Sequence, residues 1–120
     1  MCRVVDFAAD LGGTGVIINP TRLTKWTPLA ELDQELAWGA ESIRKVADYA
    51  AGAGINLFVE VWNRYDTYLI NRAEQGRAFV KMVDKPNVGV MLDTFHLNIE
   101  EVDMTQAILD CKGCLYHLHV

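Results

Sequence analysis

The segment NVGVMLDTFHLNIEE, residues 87–101, decides the fold. Its apolar run, Val88 to Leu92, stops at Asp93, and an imidazole follows at His96. A half-exposed strand alternates polar and apolar residues, so an uninterrupted run bounded by turn residues reads as a strand buried on both faces. Ending it on a carboxylate puts a charge where the core stops. The same design recurs on both sides. GVIINP (15–20) reads as a strand ended by Pro20, INLFVEV (55–61) as a strand with Glu60 near its end, and CLYHLHV (114–120) as a strand carrying His117 and His119.

Amphipathic helices fill the intervals. Residues 2–11 place Val4, Val5, Ala8 and Leu11 on one face before Gly12 and Gly13. Thr27-Pro28 predicts a helix start, and Leu32, Leu36, Ala40, Ile43, Ala47 and Ala50 recur in steps of three and four to about Ala51. A helix over roughly 70–83 has Ala73, Phe79, Val80 and Val83 on or near its inner face and is broken by Lys85-Pro86-Asn87; another covers 104–109. Glu100 and Glu101 read as opening the helix after the third strand, where acids favour the dipole. The order is a helix, then strand and helix three times, then a strand. That alternation indicates an α/β fold, a parallel sheet covered by helices. Asp93 lies 33 positions after Glu60, and His119 26 after Asp93. A (β/α)8 barrel spends roughly 30 residues on each unit, so about four parallel strands make a partial TIM barrel. An open doubly wound sheet has a similar period, but no GxGxxG follows a strand, which leaves the dinucleotide-binding version without support.

Composition narrows the function. The 120 residues suit about one domain, and 51% are hydrophobic, enough for a core. Net charge is -5, from 11 basic and 16 acidic residues, and no basic run occurs, so no nucleic-acid partner is expected. No stretch of about 18 apolar residues occurs, so no membrane span is expected. The N-terminus lacks a signal-peptide pattern, and Cys2, Cys111 and Cys114 read as free thiols of a cytoplasmic protein. Cys111 and Cys114 form a CxxC without a second ligand pair, in the turn before the last strand.

Glu60, Asp93 and His119 stand at or near the C-terminal ends of three consecutive strands, the edge at which parallel α/β folds bind ligands. Two carboxylates and an imidazole suit Mn²⁺, Mg²⁺ or Co²⁺ better than a thiolate-preferring metal. The structural alternative is that each caps its strand or pairs with a loop amide; their matching positions favour the metal. His117 alternates with His119 and is expected on the same face, as a packed histidine.

FVEVWNRYD (58–66), MLDTFHLNIEE (91–101) and the closing HLH (117–119) resemble the ketose 3-epimerases, the D-tagatose and D-psicose 3-epimerases of the xylose-isomerase-like TIM barrels. The resemblance implies that Glu60 is both metal ligand and catalytic acid/base, that Asp93 and His119 are further metal ligands, and that His96 and Asp66 contact the sugar. Asp66 stands where the family often has glutamate, and Trp62 where several members have leucine. Asn63 and Arg64 read as bracing this shell through hydrogen bonds. The implied reaction is C3 epimerisation of a free ketose through a metal-stabilised enediolate, with Mn²⁺ the implied metal and a homo-oligomer the implied full-length enzyme. Aldose–ketose isomerisation on the same metal site is the alternative. The family pattern also has a second catalytic glutamate and an arginine beyond the third ligand's strand. The chain stops at Val120, so residues 1–120 are expected to be a fragment covering about the fourth to seventh strands, inactive alone. The other alternative is a non-catalytic half-barrel that serves in binding or assembly.

Overall fold

A computed structural model describes residues 1–120. The elements are α1 (Cys2–Asp10), β1 (Gly15–Ile18), α2 (Leu32–Gly52), β2 (Asn56–Glu60), α3 (Ala73–Val83), β3 (Val88–Asp93), α4 (Thr94–Glu100), α5 (Met104–Asp110) and β4 (Leu115–His119). The four strands form one parallel sheet in the order β1-β2-β3-β4. This is a partial barrel of the TIM type, as the alternation predicts. No helix is long and apolar enough to cross a membrane.

The strands divide their side chains between two faces. Leu57, Val59, Val61, Val88, Val90 and Leu92 face the helices and form the core with Ala40, Ile43, Ala47 and Ala50 of α2 and Phe79, Val80 and Val83 of α3. Each fully buried aliphatic side chain contributes about 1.5–3 kcal/mol. The opposite, inner face carries Phe58, Glu60, Gly89, Met91, Asp93, His117 and His119. Gly15 and Gly89 leave room on it for rings: a Cβ at Gly15 would lie 2.2 Å from Phe58 Cζ, and one at Gly89 would lie 2.2 Å from Tyr116 Cγ. β4 holds a bulge, since Val90 pairs with Leu115 while Met91 pairs with His117. Tyr116 is the extra residue, and so both it and His117 turn inward.

Three boundaries depart from the sequence reading. α2 begins at Leu32, not at Thr27-Pro28, because Glu35 folds back to accept the Leu29 and Ala30 backbone N–H groups and holds 28–31 outside the helix. α3 begins at Ala73, three residues later than expected, because Gln75 Oε1 accepts the N–H groups of Asn71 and Arg72 at 2.8 and 2.9 Å. The short α4 (Thr94–Glu100) has no counterpart in the apolar periodicity of the sequence. Glu100 is its last residue and Glu101 its C-cap, so neither opens a helix.

β1 and β4 each have a neighbour on one side only. Ile17, Tyr116 and Leu118 are exposed on these edge strands. Unpaired parallel edges template association. Sedimentation velocity on residues 1–120 is expected to show self-association that rises with concentration; a monodisperse monomer across the range would contradict it.

Candidate functional site

Polar side chains of the inner face gather at the C-terminal edge of the sheet. Glu60 ends β2 and Asp93 ends β3. Asp93 also caps the helix that follows, its Oδ1 accepting the Phe95 N–H at 2.8 Å. That cap starts α4 directly after the strand, so His96 arrives within one turn of the strand end. One donor atom each from Glu60, Asp93 and His96 lie within 4.8 Å of one another. His119, in register with Asp93 on the next strand, places Nδ1 3.5 Å from Asp93 Oδ2. His119 thus stands beside Asp93, outside that tightest group, and is about half exposed. Asp66 Oδ2 lies 3.7 Å from His96 Nδ1 on the far side of the ring. His117 sits one layer down, stacked on Phe58 at 5.3 Å and edge-on to His119 at 4.9 Å.

These residues fit a divalent cation. Glu60 and Asp93 are both largely shielded from solvent, and neither has a lysine or arginine within 4.0 Å. Two carboxylates left in that state want a counter-charge, and oxygen and imidazole donors match a hard or borderline ion.

The loops around the site are tied down by buried carboxylates. Glu100 accepts Arg64 Nε at 2.9 Å, Arg64 Nη2 at 2.8 Å and the Arg64 backbone N–H at 2.6 Å. Glu101 accepts the Ala73 N–H at 2.7 Å and pairs with Arg72. Together they lock the β2–α3 loop, with Asn63 and Asp66, to α4, with His96. The β1–α2 loop is bound to the same loop by the Thr24 N–H to the Asp66 carbonyl at 2.9 Å and by a bridge between Lys25 and Thr67. Behind it Glu35, 7% exposed, takes the Leu29 and Ala30 amides, the Tyr68 hydroxyl and the Lys25 ammonium. Hydrogen bonding from Leu29 leads in holding its carboxyl below the usual range. Glu35 escaped the sequence reading, although its place between Leu32 and Leu36 on the apolar stripe of α2 was a signal.

The Arg64 side chain beside Glu100, joined by the Arg64 amide, holds the Glu100 carboxyl below the ordinary 4.5. A depressed folded pKa means that the unfolded chain binds the proton first as pH falls, so the contribution is full above 4.5 and lost as pH drops through the folded value. Denaturant midpoints at about pH 7 and about pH 3 should therefore differ less in Glu100→Gln than in the unsubstituted chain. An unchanged difference would show that the clamp is not the acid-sensitive element.

A sequence model of the xylose isomerase-like TIM barrel family matches residues 1–120. The chain belongs to that family. Among curated relatives, the ketose 3-epimerase of Arthrobacter globiformis is 39% identical over 98% of this chain and 41% of its own length. The D-psicose 3-epimerase of Ruminiclostridium cellulolyticum is 48% identical over 73% of this chain and 31% of its own. Among solved structures, D-allulose 3-epimerase from a Methylomonas species, in complex with D-allulose, superposes with a TM-score of 0.91 at 35% identity, over 98% of this chain and 41% of that one. The chain thus spans less than half the length of each of these relatives.

Proposed function

We propose that this chain contributes the metal-binding and first acid/base half of a sugar epimerase that inverts C3 of a free ketose, and that residues 1–120 correspond to about the fourth to seventh strands of the barrel. The observation that carries the reading is the pair of shielded carboxylates, Glu60 and Asp93, at the ends of adjacent parallel strands, with His119 beside Asp93 and His96 of α4 within 4.8 Å of both carboxylates. The likeness to ketose 3-epimerases supports the choice of reaction.

Glu60, Asp93 and His119 would hold the divalent ion, for which the donor set favours Mn²⁺ over a thiophilic metal. When bound, the ion supplies positive charge to the sugar oxygens on which negative charge develops. The chain's own residues do the rest. The Glu60 carboxylate takes the C3 proton; the C3–H electron pair moves into the C2–C3 bond, and charge passes to the C2 oxygen. His96, above the same edge, donates to a sugar oxygen. Asp66 binds a hydroxyl further along the sugar, its reach one methylene shorter than a glutamate's. Inversion then requires a proton delivered to the opposite face of C3, which Glu60 cannot reach; we assign that step to a residue outside 1–120.

The test is a graft. Residues 1–120 replace the matching 41% of the Arthrobacter enzyme, and a ketose is incubated in deuterium oxide with Mn²⁺. Deuterium at C3 together with the C3 epimer is the expected result. A graft that folds and binds Mn²⁺ yet leaves C3 unexchanged overturns the proposal. An aldose product would assign the site to aldose–ketose isomerisation.

A further inference from the structure

His96 has two ring nitrogens in unlike surroundings. Nε2 faces Glu60, with Oε1 3.8 Å away, too far for a hydrogen bond. Nδ1 faces Asn63, whose side-chain Nδ2 lies 2.8 Å away and whose backbone N–H donates to it at 3.3 Å. The Asn63 amide cannot reverse without loss. Its Oδ1 accepts the Tyr65 N–H at 2.8 Å, and its Nδ2 also donates to Asp66 Oδ2 at 2.9 Å. Asn63 is 2% exposed, so no water replaces these partners cheaply. Asp66 is the one nearby group that would draw a proton onto Nδ1. It lies 3.7 Å away, beyond hydrogen-bond reach, and its oxygen is already occupied by Asn63.

We infer that Asn63 is a positioning residue that fixes His96 as the Nε2–H tautomer, making His96 a hydrogen-bond donor toward the space beside Glu60. Two N–H groups aimed at Nδ1 require its lone pair, so a neutral imidazole must carry its proton on Nε2. An Nε2 that bears hydrogen has no lone pair for a cation. His96 therefore leaves the ion to Glu60, Asp93 and His119, although its geometry groups it with the first two. In the sugar site proposed above, on which this role rests, the donor meets a substrate oxygen. Arg64–Glu100 supports the arrangement by holding the Asn63 loop against α4.

The tautomer is directly readable. The chain, labelled with ¹⁵N-histidine and sedimented at alkaline pH, gives magic-angle-spinning spectra in which protonated and unprotonated ring nitrogens separate. His96→Gln identifies the His96 signals among those of the three histidines. The expected spectrum shows Nδ1 unprotonated and Nε2 protonated for His96. In Asn63→Asp the donor becomes an acceptor of the same shape, and Nδ1 is expected to gain a proton. An Nδ1–H tautomer in the unsubstituted chain overturns the inference, and so does an unchanged spectrum in Asn63→Asp. Should that variant fail to fold, an Nδ1–H tautomer in the unsubstituted chain still overturns the inference, and Asn63→Ser, which is smaller and removes the side-chain amide donor, takes its place as the test of Asn63: an unchanged His96 spectrum there overturns it as well. No sugar or metal is present, so the outcome is separate from the exchange test: Nε2–H with an inert graft sinks the epimerase reading alone, and Nδ1–H with an active graft sinks this inference alone.

Discussion

Glu60→Gln in the graft is expected to lower C3 hydrogen exchange by about 10³-fold, within the range that a positioned acid/base supplies. The substitution preserves shape. The Glu60 backbone carbonyl still accepts Asn19 Nδ2 at 2.9 Å, which ties β2 to the end of β1, so the strand end stays in place. What changes is the proposed acceptor for the proton. A carboxamide has no useful basicity, and it is a poorer ligand for a cation. The two losses separate in the measurement. Raising Mn²⁺ until binding saturates restores the ligand function, and the residual defect in exchange is then the base alone. Exchange restored to the parent rate at saturating Mn²⁺ would remove Glu60 from the acid/base role and leave it a ligand.

Gly89→Val is expected to destabilise the chain by about 3 kcal/mol, at the upper end of ordinary overpacking. The backbone at Gly89 is not in the left-handed region, so the effect is purely one of space. The Tyr116 ring occupies the place of the missing side chain, with Cγ 2.2 Å from an ideal Cβ. Cγ is the root of the ring, and a small swing of the tip does not clear it. A larger swing breaks the bond from the Tyr116 hydroxyl to the Pro86 carbonyl at 2.6 Å. Urea midpoints with an unchanged slope would report the loss. In Gly89→Val with Tyr116→Ala the ring is gone, so the double variant should be destabilised by less than the sum of the singles. Strict additivity would mean that the clash is relieved elsewhere.

The strands and the ends of the strands were legible because burial on both faces leaves no alternation. A carboxylate in such a run marks the point where the sheet meets solvent or a ligand. Glu60 and Asp93 declared themselves in that way, and the geometry brings them together. α4 was hidden because it is only 7 residues long, with Leu97 its one buried residue, too little for a period of 3.6 to show. The available signal was Asp93 itself, whose side chain serves both the inner face and the helix cap. Glu100 and Glu101 were misplaced for the same reason: without α4, acids before Met104 look like the start of a helix rather than the end of one. Thr27-Pro28 misled because capping preference is local, whereas the start of α2 is set by Glu35 drawing Leu29 and Ala30 back on themselves. The tautomer inferred for His96 was beyond the sequence altogether. It depends on which atom of Asn63 faces it, and hence on a turn closed by Tyr65.

The bulge in β4 works as a phase setting. Side chains in a strand alternate strictly, so a single extra residue decides which half of everything downstream looks inward. Tyr116 is that residue, and through it His117 and His119 share the inner face while Leu118 turns toward the helices. Drop one residue ahead of His117 and the strand presents Leu118 where an imidazole should be, with both histidines driven against the core. The stretch from Cys114 to Tyr116 can therefore vary in kind far more readily than in length. Among descendants of such a chain, insertions and deletions should fall almost anywhere before they fall there.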